Sequence, residues 1–289
     1  MATFFYNGNG AQGLGDGSSS ADASGSSVDA IAALSGGVEV TAGTFTLTAS
    51  QASGQSITGA GTVSISDPVT VAQANSLDGT IAATLSLSSI SDTAANLSGS
   101  SDGVLGLATT VTASTNATAA QATTLGGFTT AVTYSISDTA TAVAGAGATA
   151  LNEAVNITAT GTATVAQATT IDAAINGGSN TYSLNDTASN LAAASGSVLS
   201  GASAISTSGT TAAAANLNTI DSASTVALNA ASVTTLTGLA ADVIIAFSAG
   251  TAGTITGLGD EAVTLSGSTS VTDANSVDGS TSGVITATI

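Results

Sequence analysis

The feature that most constrains this 289-residue chain is its internal repetition. The segments Ser89-Ile-Ser-Asp-Thr-Ala-Ala-Asn-Leu97, Ser135-Ile-Ser-Asp-Thr-Ala-Thr141 and Ser183-Leu-Asn-Asp-Thr-Ala-Ser-Asn-Leu191 match closely, which sets Asp92, Asp138 and Asp186 at nearly equal intervals. A second motif interleaves with the first. Val71-Ala-Gln-Ala-Asn-Ser-Leu77, Ala119-Ala-Gln-Ala-Thr-Thr-Leu125 and Val165-Ala-Gln-Ala-Thr-Thr-Ile171 carry Gln73, Gln121 and Gln167 at the same intervals. Two motifs alternating at one double period define a unit of about 23 residues, and regular repetition on that scale is the mark of a stacked repeat architecture.

Each unit reads as a strand followed by a short helix. Segments 62–66, 87–91, 132–137, 156–160 and 181–185 alternate apolar and polar residues and are enriched in β-branched side chains. Short Ala-rich stretches such as 94–97 and 162–175 follow, closed by Gly or Asn. Asp67-Pro68 reads as a helix start, a capping carboxylate ahead of a proline at the first helical position. Asp92, Asp138 and Asp186 are assigned the same turn and capping role. Such helices are too short to stand alone. The predicted fold is therefore a solenoid of about a dozen coils. It has parallel strands stacked ~4.8 Å apart in coils of roughly 19–25 residues, with short helices or turns in the central coils.

Toward the ends the unit shortens. The interval from Thr48 to Asp67 recurs from Asn229 to Ser248 and from Ser248 to Gly267. A coil that short, about 19 residues, predicts β-turns without a helix there. Residues 1–37 differ: glycines alternate with polar residues at Gly8, Gly10, Gly13, Gly15 and Gly17, and three of the eight aromatics fall at Phe4, Phe5 and Tyr6. The expected organisation is a Gly/Ser-rich arm or cap over 1–37 and a repeat solenoid over 38–289. The final residues 273–289 resemble 72–85 but lack the strand and Ser-Asp turn that follow the earlier copy. The expectation is an uncapped apolar end, which solenoids ordinarily avoid because it exposes an unpaired strand edge. A head-to-tail contact of such ends generates an open filament. Phe4, Phe5, Tyr6, Val284, Ile285 and Ile289 are the expected assembly interface.

Composition limits the chemistry. The chain has 18 acidic residues and no Lys, Arg, His, Cys or Trp. A net charge of −18 with no cationic side chain cannot neutralise phosphates, which excludes nucleic-acid binding and attraction to an anionic membrane surface. No imidazole, thiol or amine side chain exists for general-base or nucleophilic work, and the chain is read as no enzyme, with no catalytic or cofactor-binding residue. Asp92, Asp138 and Asp186 recur with the unit, which favours capping over the paired-carboxylate chemistry of a glycosidase. Oxygen ligands restrict metal binding to hard cations such as Ca²⁺, for which Asp16, Asp22 and Asp29, or Asp260 and Glu261, are the candidate clusters. The metal ligands themselves are left unassigned. Gly13-x-Gly15-x-Gly17 precedes no strand–helix nucleotide fold and carries no phosphate reading. The Thr rows at 44–48 and 158–164 fit both an exposed β-strand and an ice-binding face.

With 43% hydrophobic residues, 6% charged residues and a mean hydropathy of +0.45, the chain is not of disordered composition. No apolar run approaches the ~20 residues of a membrane span, so no membrane insertion is expected. The first ten residues carry neither a basic nor an apolar signal region, so the route out of the cell is expected to lie elsewhere than an N-terminal signal peptide.

The motifs at 89–97, 70–78 and 282–289 resemble the repeats of very large bacterial surface and secreted proteins, common in cyanobacteria and often exported by type I secretion. The resemblance covers roughly residues 38–289 and implies an extracellular structural or adhesive role without enzyme activity. The Gly-Gly-x-Gly-x-Asp nonapeptides common in that group are absent here. Absence of the nitrogen-rich side chains Lys, Arg, His and Trp fits an abundant extracellular product made at low nitrogen cost, and also a surface without trypsin sites. The expected function is an extracellular subunit that self-assembles head-to-tail into a filament or surface matrix, with divalent cations as a bridge. The alternatives are a monomeric adhesive or ice-binding domain, or a viral appendage.

Overall fold

The structure, a computed structural model, describes residues 38–40 and 43–288; at Phe4–Tyr6, Ala11–Gly13, Ser20–Asp22 and Glu39 it describes the backbone alone. The local rules of the sequence build the strands. In Thr62–Val69, Val63 and Ile65 are fully buried while Thr62 and Ser64 between them are half-buried. In Thr84–Asp92, Leu85, Leu87 and Ile90 turn inward. Each fully buried Leu or Ile contributes on the order of 1.5–3 kcal/mol. With so few aromatics, the core is a set of Val, Ile, Leu and Ala rows, to which Phe45, Tyr134 and Tyr182 add the bulk.

The chain is α/β. Its described residues form three all-parallel sheets of four or more strands, together with thirteen helices. Two compact units divide it, Met1–Ser135 and Ile136–Ile289. In the first unit one six-stranded sheet runs Ser20–Asp22, Thr44–Leu47, Thr62–Val69, Thr84–Asp92, Ala108–Ala113 and Val132–Thr133, in chain order and parallel at every step. Within residues 1–37, Phe4–Tyr6 pairs antiparallel with Ala11–Gly13.

The second unit holds two sheets, again ordered as the chain is. One runs Ile136–Thr139, Ile157–Ala163, Asn180–Thr187, Ile205–Ser208, Leu228–Asn229 and Ile255–Thr256. The other runs Thr211–Ala213, Thr235–Gly238, Ala262–Ser268 and Ile285–Thr288. In these three sheets no strand is inserted between two earlier ones. Parallel neighbours require a crossover, and the short helices supply it.

The step between paired strands tracks the sequence repeat in the middle of the chain. Leu87 faces Ala108, Ile136 faces Ile157 and Leu184 faces Ile205, the same interval in all three pairs. Near the N-terminal end the step from Thr44 to Thr62 is shorter, but the expectation of turns without a helix is overturned there: a four-residue helix, Ala49–Ala52, closed by a Thr48–Gln51 capping box, fits between the strands. The C-terminal expectation is overturned. Leu236 faces Val263, a longer step than in the central repeats, and the intervening segment is the longest helix, Ala240–Ala252. Ser248 lies inside that helix while Asn229 and Gly267 lie in strands, so their equal spacing is accidental. What lengthens the repeat there is the apolar run Val243-Ile-Ile-Ala-Phe247, which buries Val243, Ala246 and Phe247 on one helix face.

Candidate functional site: an aspartate latch between repeats

The helix starts obey one local rule. Thr70 is the N-cap of Val71–Thr80: its hydroxyl accepts from the Gln73 N–H (3.3 Å), and the Gln73 side-chain oxygen accepts from the Thr70 N–H (2.9 Å). The same reciprocal box joins Thr48 to Gln51, Thr118 to Gln121 and Thr164 to Gln167. It satisfies two of the amides that a helix N-terminus leaves open. The glutamines that mark the repeat are therefore capping residues. The Thr-x-x-Gln spacing that signals this stands in the sequence, masked by the more conspicuous aspartates.

The aspartates act across repeats. Asp67 Oδ1 accepts from the Ala49 N–H (2.6 Å), the first amide of the helix Ala49–Ala52 in the preceding repeat. Asp92 Oδ2 accepts from Val71 N–H (3.0 Å) and Asp186 Oδ2 from Val165 N–H (3.0 Å), in each case the first amide of a helix one repeat back. At the helix Ala94–Ser98 the same position is served by a hydroxyl, Thr115 Oγ1 accepting from Ala94 N–H (3.1 Å).

This corrects the expectation that each aspartate caps the helix that follows it. Asp67 and Pro68 lie within the strand Thr62–Val69, and Thr70 is the cap. Asp92, Asp138 and Asp186 each stand one residue ahead of a threonine cap, Thr93, Thr139 and Thr187. Because the strand runs on through Asp92 and Asp186, one oxygen of each carboxylate reaches the previous repeat. The other is held locally: Asp92 Oδ1 accepts from Thr93 N–H (2.7 Å) and Asn96 Nδ2 (2.8 Å), and Asp186 Oδ1 from Thr187 N–H and Asn190 Nδ2 (both 2.8 Å). Asp138 Oδ1 accepts from Thr139 N–H (2.7 Å).

Electrostatics follow from the missing cations. With no Lys, Arg or His, helix amides and side-chain amides are the groups that stabilise these carboxylates. Burial pushes the Asp92 carboxyl up, but hydrogen bonds from Asn96, Thr93 and Val71 outweigh it and hold it below the usual range. At Asp186 burial is likewise outweighed, by Val165, Asn190 and Thr187. Asp102 is held well below the ordinary range by the Thr129 hydroxyl and the Thr129 and Thr130 amides, which ties the loop after Ala119–Leu125 to the preceding repeat. Burial and the nearby Asp172 carboxylate push the Tyr182 hydroxyl up; it donates to Val198 O (3.0 Å) and Asp172 Oδ1 (3.3 Å).

Serine and threonine hydroxyls add a second tie. Ser66 donates to Leu47 O, Ser88 to Asp67 O, Ser206 to Leu184 O and Thr237 to Ala212 O, each across one repeat.

Of the expected interface residues, Val284 is 75% exposed and Ile285 half-buried in Ile285–Thr288. That strand pairs with Ala262–Ser268 along one edge, and no strand among the described residues occupies the other. The side chains of Phe4, Phe5 and Tyr6, and Ile289 altogether, lie outside the described residues, as do the side chains of Asp16, Asp22 and Asp29. Among the described residues no three acidic side chains converge as a metal-holding group, and no helix is long and apolar enough to cross a membrane. The surface hollows include grooves between successive helices; one is lined by Ala49, Ser53, Ala72, Gln73, Ser76 and Leu77.

Fold and latch together define an α/β protein of parallel sheets tied repeat to repeat. No family model, curated protein or solved structure matches the chain.

Proposed function

We propose that this chain is a structural protein of the cell exterior. Each of its two units is a stretch of α/β solenoid, and its copies associate head-to-tail into a filament or surface matrix. One observation carries the reading: the contact between repeats is a translation. The same parallel direction recurs from one strand to the next, and an aspartate-to-helix latch joins three pairs of neighbouring repeats. A monotonic all-parallel strand order is what continuous winding produces, and a translational contact, unlike a two-fold one, has no built-in stop. Strand addition at an edge such as that of Ile285–Thr288 extends the same ladder into a second copy. The repeats resemble those of bacterial secreted and surface proteins, and the chain offers neither a phosphate-binding cation nor a basic or thiol catalytic group. Sedimentation velocity over a hundredfold concentration range tests the proposal: species growing in mass with concentration support it, and one fixed mass throughout refutes it.

A second reading, an ice-binding or adhesive face, draws on the outward columns Thr44, Thr62 and Thr84, and Thr46, Ser64 and Ser86, aligned by register on three successive strands. Faceting of ice crystals by the protein, lost in Thr62→Val, distinguishes it.

A further inference from the structure

Among the described residues, Glu261 is the one acidic side chain that is buried. It precedes the strand Ala262–Ser268 on the inward-facing parity of Val263 and Leu265 and is 0% exposed. Its Oε2 accepts from the Gly259 N–H (2.8 Å); its Oε1 is buried and has no hydrogen-bond partner. A buried carboxylate is normally paired with a cation or fully hydrogen-bonded. This chain has no cationic side chain to pair with Glu261.

The surroundings are built closely around it and are rich in oxygen. Gly259, at φ 138°, turns the chain so that its amide meets the carboxylate two residues on. Gly283 passes so near that a Cβ there would stand 2.1 Å from Glu261 O. The Thr281 hydroxyl donates to Glu261 O (2.8 Å), and Ser282 N–H donates to Gly259 O (2.9 Å), so two loops close over the residue. The neighbouring Asp260 is exposed. The two loops bring no nitrogen or sulfur side chain to Glu261, only carboxylate, hydroxyl and backbone oxygens, and hard oxygen donors are the kind that take calcium.

We propose that Glu261 Oε1 is the anchoring ligand of a calcium site formed by the 257–261 and 281–283 loops. The site belongs to a single chain and does not depend on whether copies assemble. Its ligand set, with at most two carboxylates, places it among weak sites, with Kd on the order of 10⁻⁴–10⁻³ M. The bound ion would fasten the strand Ile285–Thr288 to Ala262–Ser268 through the loop that precedes it.

Hydrogen exchange measured at dilute protein tests this, with calcium or with chelator at matched ionic strength. Calcium at about ten times its Kd slows local opening about tenfold at amides of 257–263 and 281–284, with no comparable change elsewhere. Glu261→Gln, which keeps the size of the side chain, loses that slowing. Glu261→Leu loses it too, and in chelator protects these amides better than the parent chain does, because it removes an unpaired buried charge. No calcium effect in the parent chain overturns the proposal, as does an effect of equal size in both variants. Slowing spread evenly over the chain would be screening of its net negative charge and would likewise refute a specific site.

Discussion

Replacing Asp92 with alanine tests the latch where it is best defined. The carboxylate accepts three hydrogen bonds: from Val71 N–H across the repeat, and from Thr93 N–H and Asn96 Nδ2 in its own turn. Losing the local pair resembles removal of a helix cap, about 1 kcal/mol, because both donors can turn to water. Val71 N–H is different. It heads the helix Val71–Thr80 in a part-buried position, and orphaning it costs about 1–2 kcal/mol more. The expected loss is therefore about 2–3 kcal/mol, or about 30- to 150-fold faster local opening at 1.36 kcal/mol per tenfold change. Hydrogen exchange on the helix 71–80 reads this directly, and Asp92→Asn should show roughly half the effect because one acceptor oxygen survives. If Asp92→Ala loosens 93–98 but leaves Val71 and its neighbours as protected as before, the contact between repeats carries no energy and the reasoning fails.

Further outcomes follow from the same geometry. The lowered Asp92 and Asp186 carboxyls stabilise the fold above the unfolded value near ~3.9, and that contribution is lost as pH falls through their lower folded values. Falling pH also relieves repulsion among 18 acidic groups, which stabilises. Urea midpoints between pH 6 and pH 2 should therefore pass through a maximum in the parent chain and fall less steeply on its acid side in Asp92→Asn/Asp186→Asn, where Asp102 alone of the three lowered carboxyls remains; curves of the same shape would refute the latch. Gly59→Ala should cost at least about 3 kcal/mol, since its φ is 111° and a Cβ would stand 2.2 Å from Val40 O. Gly54→Ala, at φ 73° with open space around it, should cost about 1–2 kcal/mol, so equal denaturation shifts for the two would contradict the packing described. Gln73→Ala should lose about 1 kcal/mol through its capping box, visible as faster exchange at Thr70 and Gln73.

The repeat makes much of this architecture legible. Alternation places the inward Val63, Ile65, Leu87 and Leu184, and half the interval between Asp92 and Asp138 is close to the step from Leu87 to Ala108 or from Ile157 to Asn180. What misleads is locality. Asp67-Pro68 carries the signature of a helix start, yet proline also fits a strand where its missing N–H is not needed, and the strand continues to Val69. The partner of Asp67 is Ala49, and a contact across one repeat leaves no mark in the neighbouring residues. The long helix Ala240–Ala252 is hidden because matching spacings at Asn229, Ser248 and Gly267 outweigh the helical face of Val243, Ala246 and Phe247. Glu261 reads as a loop acid beside Asp260, since burial of a charge has no sequence signature in a chain without a cation to pair it with.

The head-to-tail association proposed above would repeat between copies the parallel strand-on-strand contact found within each unit. Imaging concentrated protein by cryo-electron microscopy tests it most directly. Filaments are expected whose axial periodicity includes the ~4.8 Å spacing of stacked parallel strands. Isolated particles at every concentration, or fibres whose strands run along the axis so that the spacing lies across it, would contradict it.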